Sequence, residues 1–484
     1  MQTFYDFLAH SFEFPPEGFQ VIDDELYFHG INMMELIETY KTPVRFTYLP
    51  IISENIRKAR LYFEDAMKKY DYRGKYIYCY CTKSSHFKHV MVEVLKSGVQ
   101  LETSSALDMP IIDTLERTGY LSKETFILCN GFKDYEYKQH IVDMLHDGFF
   151  NIVPILDNKE ELNFYEHELE VPCSLGIRMA TEEPPVHSFY TSRLGMREDD
   201  IIPFYEQRLA RQQSLKLRLL HFFVHTGMHD TPFFWSELRR FVSLYCRLKK
   251  VDPDLEMLDI GGGLPFRNSL GFEFDYAYVV QEIVRTIKEI CTDHNVEEPT
   301  LVTEFGSFTV AESSGALFKV LSRKQQNDRE KWFMIDGSII SMLPDVWALS
   351  RRFITLPINN WGAGYEKVSI GGMTCDGDDF YNEEAHLESI FMPATPKQQY
   401  IGFFHTGAYQ EVLSGVGGLH HCLMPDPKHV VISVDEEGAR HYRVLHEEQS
   451  SKQVLRVLGY RRDPEAPPER PSPARATATT HVEK

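Results

Sequence analysis

Apolar runs alternate with helical patterns along residues 45–305. Each run predicts a buried strand, and the amphipathic stretch that follows it predicts a helix. The pair recurs at intervals of about 30 residues, and about eight strands can be counted. Strands joined by helices run parallel, because the helix returns the chain to the edge at which the next strand starts. Eight such units favour an α/β fold with a closed (β/α)8, TIM-like barrel over an open sheet.

The pattern changes after residue 310. Short strand-like runs lie between clusters of Gly, Pro, Asn and Asp, which is typical of a mostly antiparallel β domain. The C-terminal stretch is rich in Pro, Ala and charge and cannot bury a core. The sequence thus predicts an N-terminal segment that packs with the β domain over 1–44, the barrel over 45–310, the β domain over 311–460 and a disordered tail over 461–484.

The charge balance narrows the choice of partners. The formal net charge is -20, so a nucleic-acid backbone is disfavoured as a partner, whereas a small cationic substrate would be attracted. The start of the chain has neither a basic region nor a long apolar segment, so no secretion signal or membrane span is predicted. The eight cysteines form no Cys-x-x-Cys pair, which favours a reducing, cytoplasmic location.

Lys83 closes the aromatic strand "YIYCYC" and precedes two serines. The carboxyl ends of strands carry the active site in βα folds, so this lysine is a candidate for covalent bonding to a carbonyl group. That chemistry requires surroundings that lower the lysine pKa. A solvated surface lysine is the alternative interpretation.

Two further strand ends carry candidate chemistry. The glycines Gly261, Gly262 and Gly263 follow "LEMLDI", and glycines let backbone N–H groups approach a phosphate. The spacing fits neither a Walker motif nor a dinucleotide fingerprint, so a simple tight turn stays open. Glu304 ends "LVTEF" and could pair with a protonated ring nitrogen, or serve as a cap or salt-bridge partner.

A polar turn, "GGMTCDGDD", contains Cys375 and Asp376. A thiol that donates a proton and a carboxylate that binds a cation fit this pair better than calcium, since the spacing of a calcium loop is absent. The histidines at 221, 225 and 229 are spaced as helical metal ligands would be. The first of them falls in a predicted strand and no His-Glu-x-x-His pattern is present, so we predict no metal site.

Five motifs occur in one order: the Lys83 strand, "LDIGGG", "TEFGS", "TCDGDD" and "GAYQE". This order resembles the fold-type III pyridoxal-phosphate amino-acid decarboxylases, which include ornithine, diaminopimelate and biosynthetic arginine decarboxylases. The resemblance runs from about residue 20 to 460. It implies an alanine-racemase-like barrel followed by a β domain, with pyridoxal 5'-phosphate as the cofactor.

The resemblance assigns roles to individual residues. Lys83 resembles the lysine that holds the cofactor, and Glu304 the acid that pairs with its ring nitrogen. The residues that match the family's phosphate-binding or ring-stacking positions are Phe223, Thr226, Gly261, Gly262, Gly263, Gly306, Ser307 and Tyr409.

The same resemblance concerns catalysis and assembly. Cys375 resembles the thiol that returns a proton after CO2 leaves, and Asp376 the acid that binds the distal cation of the substrate. In the family both residues reach into the neighbouring subunit, which implies a homodimer with shared active sites and leaves a higher oligomer open. Asp345 lies in "SMLPDVWAL", which resembles arginine decarboxylases, and its carboxylate suits a guanidinium.

Two positions depart from the family pattern. Ser307 stands where the family has a phosphate-binding arginine, and Phe223 stands where it has a ring-stacking histidine. His225 replaces a glycine of the same motif. Phenylalanine can still stack on a ring, but loss of the arginine removes a charge-assisted contact, so weaker cofactor binding is predicted.

The function that these motifs imply is decarboxylation of L-arginine to agmatine and CO2 in polyamine biosynthesis. Ornithine, lysine and diaminopimelate are alternative substrates, and carboxynorspermidine fits less well. A non-catalytic, regulatory homologue is a further alternative, suggested by Ser307 and Phe223. A racemase on the same barrel is a third, and the Cys375–Asp376 element argues against it.

Overall fold

The computed structural model describes residue 4, residues 14–182, residues 191–384, residue 387 and residues 389–460. The tail predicted over 461–484 lies outside the described residues.

The N-terminal region forms a small antiparallel sheet and two helices. Its elements are β1 (Phe19–Ile22), β2 (Glu25–Phe28), β3 (Ile31–Asn32), α1 (Met33–Tyr40), β4 (Val44–Tyr48) and α2 (Pro50–Lys69). Asn32 begins α1 because its side chain accepts a hydrogen bond from the Met34 N–H at 2.7 Å. Phe19 and Phe28 share an apolar core with Phe404, so this segment is packed onto the larger sheet described below.

Eight parallel strands form a closed barrel, as predicted. They are β5 (Tyr76–Cys81), β6 (Gln100–Thr103), β7 (Ile127–Cys129), β8 (Ile152–Leu156), β9 (Cys173–Arg178), β10 (Leu215–His221), β11 (Met257–Asp259) and β12 (Thr300–Phe305). The ring closes where β12 pairs with β5, with Glu304 opposite Cys79. The strands are buried on both faces, which explains why their sequences are apolar runs rather than alternations.

Helices surround the barrel and return the chain between its strands. They are α3 (Lys88–Lys96), α4 (Asp108–Arg117), α5 (Tyr135–His146), α6 (Glu161–Glu168), α7 (Glu198–Gln207), α8 (Pro232–Val251), α9 (Tyr276–Asp293) and the short α10 (Ser307–Val310). Thr231 caps α8 and is followed by a proline, a common start for a helix. Among the described residues, no helix has the length and apolar character that a bilayer crossing requires.

The remaining chain, together with β4, builds a ten-stranded, mostly antiparallel sheet, which confirms the predicted fold class. Its elements are β13 (Ser314–Gln325), β14 (Lys331–Ile335), α11 (Ile339–Met342), α12 (Pro344–Leu349), β15 (Ile354–Pro357), β16 (Tyr365–Gly371), β17 (Phe380–Tyr381), β18 (Ile390–Pro393), β19 (Tyr400–Phe404), α13 (Gln410–Ser414), β20 (Lys428–Val434), β21 (Arg440–His446) and α14 (Ser451–Val457).

The early strand β4 belongs to this sheet and not to the barrel. It pairs antiparallel with β13 and parallel with β20. The sequence interpretation started the barrel at residue 45, because a strand followed by an amphipathic helix gives the same pattern in either place. The barrel strands begin at residue 76. The division of the chain at residues 44, 310 and 460 stays a prediction.

Candidate active site

The carboxyl ends of the barrel strands surround a cavity of about 800 Å³. Most of the residues that the sequence singled out line it together: Lys83, Phe223, Thr226, Gly262, Gly263, Glu304, Gly306, Ser307 and Tyr409. Gly261 directly precedes the lining glycines. The strand-end rule therefore brings together residues that are more than 200 positions apart in the chain, and Tyr409 joins them from the larger sheet.

Lys83 lies in a single 3-10 turn, Thr82–Ser84, directly after β5. Its Nζ donates a hydrogen bond to Oε2 of Glu102 at 2.9 Å, and the Glu102 side chain is fully buried. Burial alone would lower the pKa of Lys83, but the charges of Glu102, Cys81 and Glu304 outweigh it and raise that pKa well above its usual value. The direction is opposite to the one that the sequence interpretation required, because the carboxylate of Glu102 projects from the adjacent strand β6 and pairs with this lysine.

Glu304 belongs to a buried acidic network beneath the cavity. Its carboxylate accepts a hydrogen bond from Nδ2 of Asn130 at 3.2 Å, and His221 Nδ1 lies 3.0 Å from Oδ2 of Asp259. Burial and the charge of Asp259 raise the pKa of Glu304 to about 8, and burial raises the pKa of Asp259 to about 7. Burial lowers the pKa of His221 to about 4. A cation placed beside Glu304, such as a protonated ring nitrogen, would favour the ionised carboxylate.

Glycines allow the loops at the strand ends to touch through their backbones. A Cβ at Gly262 would lie 2.1 Å from the carbonyl oxygen of Glu304, and one at Gly306 would lie 2.0 Å from Oγ of Ser84. The Tyr409 N–H donates a hydrogen bond to the Ser84 carbonyl at 2.9 Å, which joins the larger sheet to this surface. A surface of bare backbone at strand ends suits a phosphate group, so these residues fit the cofactor that the motifs imply.

The three other predicted residues lie elsewhere. Among the described residues that line this cavity, Cys375, Asp376 and Asp345 are absent. Cys375 is exposed, in the turn between β16 and β17, and Oδ2 of Asp376 lies 3.2 Å from Nε2 of His421.

Asp345 is buried just behind the cavity wall. Its Oδ2 lies 3.1 Å from Nη1 of Arg351 and accepts a hydrogen bond from Nε2 of Gln410 at 2.8 Å. Arg351 itself lines the cavity. The carboxylate of Asp345 therefore already binds one guanidinium group.

Sequence reasoning missed several polar residues of the site. Each is one of the last two residues of a barrel strand or directly follows it, so the rule that found Lys83 and Glu304 would also have found them: Glu102, Asn130, Arg178, His221 and Asp259. The histidine spacing proved uninformative. Among the described residues, the cluster that includes His221 contains Asp259 and Glu304, and neither His225 nor His229.

A barrel that presents a lysine, an acidic network and a glycine-lined surface at its strand ends defines an enzyme site for a phosphate-bearing carbonyl cofactor. Residues 55–311 match the family of pyridoxal-dependent decarboxylases over its pyridoxal binding domain. The chain belongs to this family. It is a pyridoxal-phosphate-dependent decarboxylase.

Curated relatives include biosynthetic arginine decarboxylases. The one from Gloeobacter violaceus is 22% identical over 89% of this chain and 83% of its own length. The one from Vibrio vulnificus is 22% identical over 91% of this chain and 89% of its own length. A third, from Prochlorococcus marinus, is 25% identical over 60% of this chain, and the match spans only 48% of that relative's own length. The Gloeobacter alignment covers 556 positions, more than the 484 residues of this chain, so that relative has stretches absent here.

Solved structures share the fold. The biosynthetic arginine decarboxylase of Campylobacter jejuni has a TM-score of 0.76 and 19% identity, and the match covers 94% of this chain and 90% of that one. A diaminopimelate decarboxylase from M. jannaschii has a TM-score of 0.76 and 18% identity, with 91% and 97% covered.

The close backbone contact at Gly262 gives a test of cofactor binding. We expect Gly262→Ala to weaken pyridoxal phosphate binding by about tenfold or more, because the new Cβ forces the glycine loop away from Glu304. Absorbance titration of the cofactor measures the affinity, and circular dichroism checks the fold. Gly362→Ala is the matched control, since Gly362 is exposed, lies outside the cavity lining, and a Cβ there meets only the side-chain oxygen Oδ1 of Asp24 at 3.3 Å. Equal affinity in Gly262→Ala and the parent would contradict the assignment.

Proposed function

We propose that this enzyme decarboxylates L-arginine to agmatine and CO2, as a step of polyamine biosynthesis. The observation that carries the proposal is the Asp345 carboxylate, which binds the guanidinium of Arg351 at the edge of the cavity that contains Lys83. The arginine decarboxylases among its relatives support the same substrate. A reducing cytoplasm is the proposed location, since all eight cysteines are free thiols.

One carboxylate oxygen of Asp345 is free to accept a second guanidinium contact. Its Oδ1 is buried and has no hydrogen-bond partner among the described residues, while Oδ2 is occupied by Arg351 and Gln410. A buried carboxylate oxygen without a donor is costly, so a substrate guanidinium that reaches Oδ1 would gain a charge-assisted hydrogen bond. Arg351 and the substrate arginine would then bind the same carboxylate, one at each oxygen.

The cavity residues hold the cofactor in the proposed roles. Lys83 would hold it covalently, and the glycine surface with Thr226, Ser307 and Tyr409 would hold its phosphate. Pyridoxal phosphate, when bound, supplies an electron sink for the pair released with CO2. Glu304, whose carboxylate Asn130 orients, would pair with the ring nitrogen, and Phe223 would pack against the ring.

The remaining two residues support a homodimer with shared active sites. Cys375 and Asp376 lie on an exposed turn, outside the described lining of their own cavity. They can therefore serve a cavity only if a second copy brings them there. In the proposed dimer the thiol of Cys375 returns a proton to the reacting carbon, and Asp376 binds the distal cation. A higher oligomer stays open.

Diaminopimelate is a second candidate substrate, favoured by two cations on the cavity wall. Arg193 and Arg351 line the cavity, and an arginine binds a carboxylate through two parallel hydrogen bonds. Diaminopimelate has a distal carboxylate where arginine has a guanidinium. Ornithine and lysine are further alternatives, and a non-catalytic homologue stays the alternative outside enzymes.

The substrate proposal is tested by CO2 release from arginine, ornithine, lysine and diaminopimelate in parallel. We expect arginine to have the highest kcat/KM, and Asp345→Asn to lower it about 10- to 100-fold, because a charge-assisted hydrogen bond contributes about 1.5–3 kcal/mol. Lys83→Ala should release no CO2. Preferential release from another amino acid would refute the substrate and leave decarboxylation intact, whereas no release from any of the four would refute both.

The Ser307 departure yields a prediction about cofactor affinity. We expect Ser307→Arg to bind pyridoxal phosphate about tenfold more tightly, because a guanidinium restores a charge-assisted phosphate contact. Ser322→Arg on exposed β13 is the control, since it adds the same charge far from any cavity lining. The prediction fails if Ser307→Arg binds the cofactor no more tightly than the parent in an absorbance titration.

A further inference from the structure

A second cluster of titratable side chains lies between the barrel and the larger sheet, apart from the active-site cavity. Its members are Glu411 on α13, His429 on β20, His446 on β21, His89 on α3 and Arg45 on β4. The proposed decarboxylase function uses none of them. They come from five elements of the chain that meet only in the folded structure.

Three of these side chains converge on one point. Nδ1 of His429 lies 2.8 Å from Oε1 of Glu411, and their side chains are 1% and 11% exposed. One ligand atom each of Glu411, His429 and His446 lie within 4.8 Å of one another. Donors around one zinc ion lie about 2 Å from the metal and therefore about 3–4 Å apart, so small side-chain adjustments would suffice.

Few other partners are available to the converging atoms. Oε1 of Glu411 and Nδ1 of His429 meet each other at 2.8 Å, and Nε2 of His446 is buried without a hydrogen bond among the described residues. Both ring nitrogens of His89, a residue 7% exposed, also have no hydrogen-bond partner there. Buried polar atoms are almost always satisfied, so this many in one place indicates an occupant.

The ring of His429 is held through its second nitrogen, Nε2, which is usual for a histidine that binds metal through the other nitrogen. Its Nε2 lies 2.9 Å from Oγ1 of Thr47, which lies 2.7 Å from Oγ of Ser314. This contact sets the orientation of the ring and directs Nδ1 toward Glu411. The ring centroid of His89 is 5.6 Å from that of His429.

The charge state suits a cation despite the nearby Arg45. The carboxylate of Glu411 interacts with Arg45, so one negative charge already faces that guanidinium. Asp426 is a second carboxylate that interacts with Arg45 and offsets its charge. A guanidinium offers only donors and cannot satisfy the N–H of a histidine ring.

We propose that Glu411, His429 and His446 form a binding site for a divalent transition-metal ion, represented by Zn2+. Two imidazoles and a carboxylate form a ligand set that zinc commonly uses, and water would complete the coordination. The ion would join α13 to β20 and β21. It would thereby fix α13, whose Glu411 lies two residues after Tyr409 at the cofactor surface.

The test is zinc binding by the full chain after treatment with a chelator. We expect about one equivalent of Zn2+ per chain by calorimetry and elemental analysis, with a Kd below about 1 μM and a higher Tm in the presence of zinc. His446→Gln should lose at least tenfold in affinity and most of the Tm shift. His441→Gln is the matched control, since His441 lies on the same strand, exposed and paired with Asp435.

Two results would overturn the zinc site. In the first, the parent chain binds no more zinc than His446→Gln does. Water would then be the occupant of the space between the three side chains. The other is an equal loss in His441→Gln, which would indicate nonspecific surface binding. His429→Gln is a second variant and should also lose zinc affinity. If this variant misfolds because it loses the contact with Thr47, the result for His446→Gln decides the test.

A different observation concerns the turn that contains Cys375. Its Sγ lies 3.4 Å from Sγ of Cys422, and these are the two exposed thiols among eight cysteines. Hydrogen bonds from the backbone and thiol of Cys375, and then His421, lower the pKa of Cys422. A lower pKa favours the thiolate, which is the reactive form of cysteine.

We infer that Cys375 and Cys422 form a reversible disulfide. The two thiols lose two protons and two electrons, an S–S bond forms, and a peroxide takes up both to give water or an alcohol and water. The sulfurs must close from 3.4 Å to about 2.05 Å. The consequence for activity rests on the proposed function, because the bond would remove the thiol proton assigned to Cys375. Formation of the bond does not rest on it.

The experiment treats the holoenzyme with hydrogen peroxide and maps cysteines by alkylation and mass spectrometry. We expect a Cys375–Cys422 cross-link and at least tenfold less CO2 release, both reversed by a dithiol, while Cys422→Ser forms no cross-link and keeps most of its activity. Free alkylation of both thiols after peroxide would overturn the disulfide. A cross-link without loss of activity would show that the disulfide does not control the enzyme. It would also contradict the role of Cys375 in the proposed function.

Discussion

Closure of the barrel between β12 and β5 is the contact on which the site depends. It sets Glu304 opposite Cys79 and Phe305 opposite Tyr80, although more than 200 residues separate the two strands. The same register places Gly306 against Ser84, and Lys83 follows β5 directly. The lysine and the acid therefore share a cavity because of one row of backbone hydrogen bonds, and a shift of register would separate them.

The larger sheet completes the site instead of merely following the barrel. Tyr409 reaches the cavity through the hydrogen bond from its N–H to the Ser84 carbonyl, and Asp345 with Arg351 forms part of the wall behind it. The cluster of Glu411, His429 and His446 lies along the same junction. The cofactor surface, the proposed substrate contact and the proposed metal site thus all lie where the barrel meets the sheet.

The sequence predicted the features that depend on local pattern. Strand–helix alternation and its count gave the barrel, and polar residues at strand ends gave Lys83 and Glu304. The ion pair of Lys83 with Glu102 was not predictable, because it depends on which strands are neighbours and how they are aligned. For the same reason the raised pKa of Lys83 and the contact of Cys375 with Cys422, 47 residues apart, appear only in the folded chain.

The placement of β4 has a consequence for the order of folding. This strand emerges early, but its partners β13 and β20 begin at residues 314 and 428. Pairing over such sequence distances is slow, and an unpaired apolar strand edge can associate with other chains. Nearly the whole chain must therefore be made before Val44–Tyr48 is protected. The nascent protein is most exposed to aggregation just before its last strands arrive.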